Sequence, residues 1–143
     1  GMEQGVDSLV ALYVAGVCGL GYGLRQIIET QDAAGAPSRT ISVSGGAGAH
    51  PLTRAMLADA TGREIEITEC AEPVLLGSAM LGAVASGGYA DLQAAMPAMS
   101  RVATRCTPAG GATQARHAAR YDAFLAFQRL SRETRVAMAG LTD

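Results

Sequence analysis

The sequence predicts an α/β fold, rich in helix and poor in strand, on three observations. Two short segments have β-branched or alternating character, Arg39 to Ser44 and Glu64 to Thr68. Four or five longer segments carry helical spacing with helix-type starts and stops. With 49% apolar and 17% charged residues in 143, the chain is one globular domain's worth and long enough to bury a core.

The elements follow in chain order. Gly1-Met2 reads as an expression scar left by cleavage, so the domain is taken as residues 3–143. Asp7-Ser8 supplies an N-cap for a first helix running to about Asp32. Gly16, Gly19 and Gly23 recur at i, i+3 and i+7 and line one face. Each costs about 1 kcal/mol of helix propensity against alanine, so close packing against a helix or a ligand is expected there. Leu9 to Leu24 is uncharged for 16 residues and holds four glycines. At ~1.5 Å per residue it reaches ~24 Å, short of a ~30 Å hydrocarbon core, so a buried helix is expected and no membrane partner. Ala33-Ala34-Gly35-Ala36-Pro37 stops it.

A strand over 39–44 leads into Gly45-Gly46-Ala47-Gly48-Ala49, a turn nearly bare of side chains. His50-Pro51 opens a second helix, since proline suits the first helical position, and Gly62 ends it. Glu64-Ile65-Glu66-Ile67-Thr68 alternates strictly and predicts a strand with one solvated face. Glu72-Pro73 starts a third helix that ends at Gly87-Gly88, Tyr89 to Met99 is a short helix or turn pair, and Arg101 to Ala112 reads as loop. Thr113 caps a long final helix to about Met138, with Tyr121, Phe124, Leu125 and Gln128 as its core stripe. Two strands rarely make an independent sheet. Either the domain is helix-dominated or the rest of the sheet lies in another segment.

The chemistry is concentrated in one place. A strand, a bare turn and a helix N-terminus let a phosphate touch backbone amides, because a Cβ would block close approach and the helix end carries partial positive charge. The turn lacks the lysine and hydroxyl of a Walker A loop and the acidic partner of a dinucleotide fingerprint. A tight βα turn with no ligand is the competing reading. Elsewhere the inventory is thin. No catalytic set and no metal-ligand spacing is found. His117, among Arg116 and Arg120, reads as solvated surface. Asp59 reads as a structural hydrogen-bonder, and Glu69 and Glu72 as capping residues. Cys18, Cys70 and Cys106 are scattered and read as free, buried thiols in a reducing compartment. A net charge of −2 offers no general attraction to nucleic acid or an anionic membrane.

SGGAGAHPLTRAMLADATGREI, followed by AEPVLLGSAMLGAVASGGYADLQAAM, resembles the C-terminal domain of the FGGY carbohydrate kinases, and within it the ribulokinase-like branch that acts on pentuloses. The shared features are Gly45-Gly46-Ala47, then Ala58-Asp59-Ala60-Thr61-Gly62, an acidic Glu69 or Glu72, and Leu76-Gly77-Ser78-Ala79. The upstream helix also resembles the family's, and the likeness runs from about Ser8 to Met138.

That resemblance implies an actin-like ATPase architecture in which two RNase-H-like domains face each other across a cleft, with this chain part of one. It implies ATP/ADP and Mg²⁺ as cofactors and transfer of the γ-phosphate to a sugar hydroxyl. Gly46, with Gly45 and Ala47, would meet the α-phosphate. His50 stands near the adenine, where relatives often have Asn or Ser. The family's catalytic Asp and most sugar and magnesium contacts belong to an N-terminal part that nothing here matches. The chain is therefore expected to be the last, nucleotide-binding portion of a cytoplasmic sugar kinase, inactive alone and completed by an N-terminal kinase domain. The alternative is a non-enzymatic helical interaction or oligomerisation module docking through its glycine face. Homo-oligomerisation is expected because a fragment exposes surface that its parent buries, through the glycine face of the first helix or the free edge of the first strand.

Overall fold

The structure, a computed structural model, describes residues 5–45, 48, 50–70 and 72–140. Gly1-Met2 lies outside them. Five helices and three strands are described: α1 (Val6–Ala33), β1 (Thr40–Ser42), α2 (Pro51–Thr61), β2 (Glu64–Thr68), α3 (Pro73–Ala85), α4 (Leu92–Met99), β3 (Val102–Cys106) and α5 (Gly111–Ala139). The fold is α/β and helix-rich, as the sequence predicts. The sheet order is β1-β2-β3, with β1 parallel and β3 antiparallel to β2. A parallel pair needs a crossover, and α2 supplies it.

β3 corrects the two-strand expectation, since it falls in the segment Arg101 to Ala112 that residue type alone gives as loop. Its residues are almost all exposed, so apolar alternation is missing. What fixes it is cross-strand charge. Arg105 pairs with Glu66 at 2.8 Å and reaches Glu64 at 3.8 Å on the polar face of β2. The opposite face carries the first core, where Ile65 is fully buried with Val17, Leu57 and Ala58, and Ile41, Val43, Met56, Ile67 and Cys106 pack around them.

A second cluster joins α1, α2 and α5 through Cys18, Tyr22, Ala60 and Tyr121, flanked by Val14, Phe124 and Leu125. Of the predicted stripe on the final helix, Tyr121, Phe124 and Leu125 thus pack in the core, while Gln128 is half-buried outside the cluster. Cys18 is buried, which pushes its thiol pKa up, whereas Cys70 and Cys106 are half-buried. His117 corrects a second expectation. It is buried, not solvated, with Nδ1 2.9 Å from the Tyr22 hydroxyl. Burial lowers its pKa. The unfolded chain therefore binds a proton that the native state resists, and stability should fall as pH drops below ~6.5, the ordinary histidine value. Thermal melts from pH 7.5 to 5.5 should show a declining Tm, and His117→Gln should flatten that decline.

Two expectations for α1 also change. Only part of it is buried: Val17, Cys18, Gly21, Tyr22 and Ile28. Leu9 (68% exposed), Leu12 and Leu20 face outward, so this is not a buried helix. By length and composition alone α1 could cross a membrane, although its inward residues pack on α2 and α5. The stripe of Gly16, Gly19 and Gly23 faces open space, since an added Cβ would meet nothing within 4 Å at any of them. Close approach occurs at Gly21 instead, where a Cβ would lie 2.6 Å from Ala60 Cβ.

The caps differ too. Gly5, not Asp7 or Ser8, is the N-cap of α1, and α5 starts at Gly111 after Gly110, with no side-chain cap at either. Glu72 caps α3 by position only, making no side-chain cap bond. α3 is apolar around its circumference, yet Met80 is its one buried described residue and Val74 is 80% exposed. A helix apolar on every side belongs in an interior.

Candidate functional site

The turn after β1 is held from the sheet side. Val43 N–H extends the ladder by donating to the Glu66 carbonyl at 2.9 Å. Gly45 then takes φ +74°, a left-handed conformation natural to glycine, and stays exposed with nothing near its Cβ position. Gly48 N–H closes back on the Gly45 carbonyl at 3.1 Å. Gly48 itself is buried, and a Cβ there would come 3.0 Å from Ile67 Cδ1 and 3.2 Å from the Val43 carbonyl oxygen. One glycine thus supplies the bend and the other lets the turn lie against the sheet. Gly46 and Ala47, which the sequence places on the phosphate, and Ala49 lie outside the described residues.

His50 has a role that sequence reasoning missed. It is the N-cap of α2, with extended backbone, and its Nδ1 accepts from Leu52 N–H at 3.2 Å. The signal was available, because proline at the first helical position marks the residue before it as the cap. With Nδ1 accepting, the neutral ring carries its proton on Nε2, which remains for any ligand contact.

Two donors of the first turn of α2 are engaged by the N-cap. Pro51 has no N–H, Leu52 donates to His50 Nδ1, and Arg54 donates to the His50 carbonyl at 3.2 Å. The helix end offers an anion its positive charge. That charge is uncompensated, since no acidic residue sits in the first turn.

At the opposite end of α2, a cavity of about 210 Å³ is lined by Arg25, Glu29, Asp59, Arg63 and His117, among others. Its charges are already engaged within the chain. Arg25 pairs with Glu29 at 2.8 Å and lies over the Tyr121 ring, and Arg63 pairs with Asp32. Glu29 also accepts from the Tyr121 hydroxyl, which burial and this bond push up to about 12. Asp59 accepts from Ala109 N–H at 2.7 Å, the structural role expected of it. The cavity is a seam between helices, and none of the residues picked out for the nucleotide lies there. Among the described residues no three His, Cys, Asp or Glu side chains converge as a metal site.

Comparison with known proteins adds independent information. Residues 1–86, more than half the chain, match the model of the FGGY family of carbohydrate kinases, C-terminal domain. The chain is 43% identical over 101 residues to a human FGGY carbohydrate kinase domain-containing protein, covering 71% of this chain and 18% of that protein. It is 35% identical over 96 residues to a ribulokinase of Bacillus licheniformis, covering 64% and 17%. A ribulokinase of Mycolicibacterium smegmatis is 33% identical over 78 residues, covering 54% and 14%. The chain spans less than a fifth of the length of these relatives.

Proposed function

This chain belongs to the FGGY family of carbohydrate kinases, within the family's C-terminal domain, and from that premise we propose that it is the nucleotide-holding portion of an ATP-dependent sugar kinase. The family's C-terminal domain is part of the actin-like ATPase fold. The observation that carries the reading is the turn from Gly45 to His50. It is open at Gly45, seated on the sheet at Gly48, and followed by a helix start with no acidic residue to neutralise it. Those features suit the charged tail of a nucleotide. Gly45, Gly46 and Ala47 would take the α-phosphate, and His50 would offer Nε2 near the base while Nδ1 keeps its cap.

The turn's described residues carry no carboxylate, so Mg²⁺ would be held mainly by the N-terminal kinase domain. That domain would also supply the general base and the sugar pocket. When bound, ATP supplies the phosphoryl group, and catalysis of its transfer rests on positioning and charge neutralisation. This chain's part is positional: it anchors the α-phosphate. The sugar is a pentulose of the ribulose kind, on the likeness to the two ribulokinases. The chain is inactive alone, and the setting is cytoplasmic.

Calorimetric titration of ADP into the chain tests the reading. Saturable binding is expected, weakened at least tenfold in Gly46→Arg, whose side chain would occupy the phosphate's place (about 1.4 kcal/mol or more). Absence of saturable binding at millimolar ADP, or equal binding by the variant, would refute it.

Self-association is part of the same proposal. Exposed apolar residues on α1 and α3, such as Leu9, Leu12, Val74 and Leu75, together with the outer edge of β1, offer surfaces for a second copy.

A further inference from the structure

α1 and α2 pack as a parallel pair whose contacts step along both helices together. Tyr13 meets Thr53, Val17 and Leu57 share a core cluster, and Gly21 faces Ala60. The spacing 13, 17, 21 follows one i±4 ridge of α1, and 53, 57, 60 lie on one face of α2. The far rung is set by steric contact, with no room even for a methyl group on Gly21. The near rung is a hydrogen bond of 3.0 Å between the Tyr13 hydroxyl and Thr53 Oγ1, and it falls in the first turn of α2, next to the glycine turn.

The near rung has few supports. Val6, Leu9, Val10 and Leu12 are all exposed, and Tyr13 itself is 53% exposed. Packing therefore does little to hold this part of α1 to α2. Among the described residues, the Tyr13–Thr53 bond is the one side-chain hydrogen bond between α1 and the first turn of α2. Thr53 is buried, and its hydroxyl reaches across to α1. Gly48 fixes the turn on the sheet side. Tyr13 fixes the helix that leaves it.

We propose that Tyr13 is a positioning residue for the nucleotide-holding turn: its bond to Thr53 sets the direction of the first turn of α2, and with it the direction in which the helix's positive end and the turn's amides meet a phosphate. The inference rests on the nucleotide reading above, and it gives Tyr13 no contact with the nucleotide. A residue that merely stabilised the fold would change the melting temperature and leave ADP affinity alone.

The test uses the whole chain and three conservative variants, Tyr13→Phe, Thr53→Val and the two combined, with two readouts. Amide hydrogen exchange is followed at Thr53, Arg54 and Ala55 relative to Phe124 in α5, and ADP affinity is measured by calorimetry. Each single variant should speed first-turn exchange about fivefold and weaken ADP about threefold to tenfold, with the double variant no worse than either single, as for partners in one bond. Unchanged first-turn exchange would overturn the inference, as would ADP affinity within twofold of the parent chain in both single variants. If the parent chain binds no ADP, the nucleotide reading fails and this inference with it, while the exchange ratio still reports whether the clasp orders the first turn.

Discussion

Gly48→Val is expected to cost about 1–3 kcal/mol of stability and to weaken ADP binding more than tenfold. The stability term is overpacking. A Cβ at residue 48 would sit 3.0 Å from Ile67 Cδ1, 3.2 Å from the Val43 carbonyl oxygen and 3.3 Å from Val43 Cγ1. Forcing atoms into a filled site of this kind typically costs 1–3 kcal/mol. Ile67 and Val43 flank the core around Ile65, so the strain reaches the sheet as well as the turn. The binding term follows from where relief must come. β1 and β2 are paired in the ladder, so the turn yields, lifting away from the sheet and carrying its amides off line. Denaturant unfolding reads the first effect and calorimetry the second. Gly45→Ala is the contrast. It has open space around the Cβ position but φ +74°, and should lose about 1 kcal/mol through backbone strain alone. A Gly48→Val chain as stable as the parent would show that the turn is not seated as described.

Much of this architecture was legible locally. Pro51 and Gly62 bracket α2 in the sequence as they do in space, and the alternation from Glu64 to Thr68 places Ile65 and Ile67 on the core. The glycine run and the proline after it located the candidate turn, because bend and helix start are both written in residue type. What was not legible depended on partners distant in sequence. β3 has no apolar alternation to betray it and is set by Arg105 against Glu64 and Glu66, some forty residues away. His117 was misjudged from its neighbours Arg116 and Arg120. The better signal was periodic, since 117, 121 and 124 share a helix face and Tyr121 and Phe124 were already assigned to the core. On α1 the stripe of Gly16, Gly19 and Gly23 is the more conspicuous feature of the sequence but faces open space. Gly21 lies among the buried Val17, Cys18 and Tyr22, and that company, not the count of glycines, marks the contact face. The Tyr13–Thr53 bond left no trace in the sequence, because a half-exposed tyrosine looks the same with or without a partner.

Gly21→Leu is expected to destabilise the chain by 3 kcal/mol or more, at the upper end of overpacking effects, and Gly19→Ala to stabilise it by up to about 1 kcal/mol. Both sites lie on one helix and both replacements favour helix, so propensity alone predicts gains at each. Sterics reverse the sign at Gly21. Even a single methyl there would stand 2.6 Å from Ala60 Cβ and 3.7 Å from Leu57 Cδ2, and Ala60 is fully buried with no open side to move toward. At Gly19 nothing lies within 4 Å, and only the backbone entropy of glycine is removed. A reciprocal change isolates the cause. Gly21→Ala alone should lower Tm, whereas Gly21→Ala combined with Ala60→Gly moves the methyl from one helix to the other and should recover most of the loss, less the glycine penalty now placed in α2. If Gly21→Ala raises Tm as Gly19→Ala does, the helices are not as close as 2.6 Å implies, and the ridge that joins Gly21 to Tyr13 loses its fixed end.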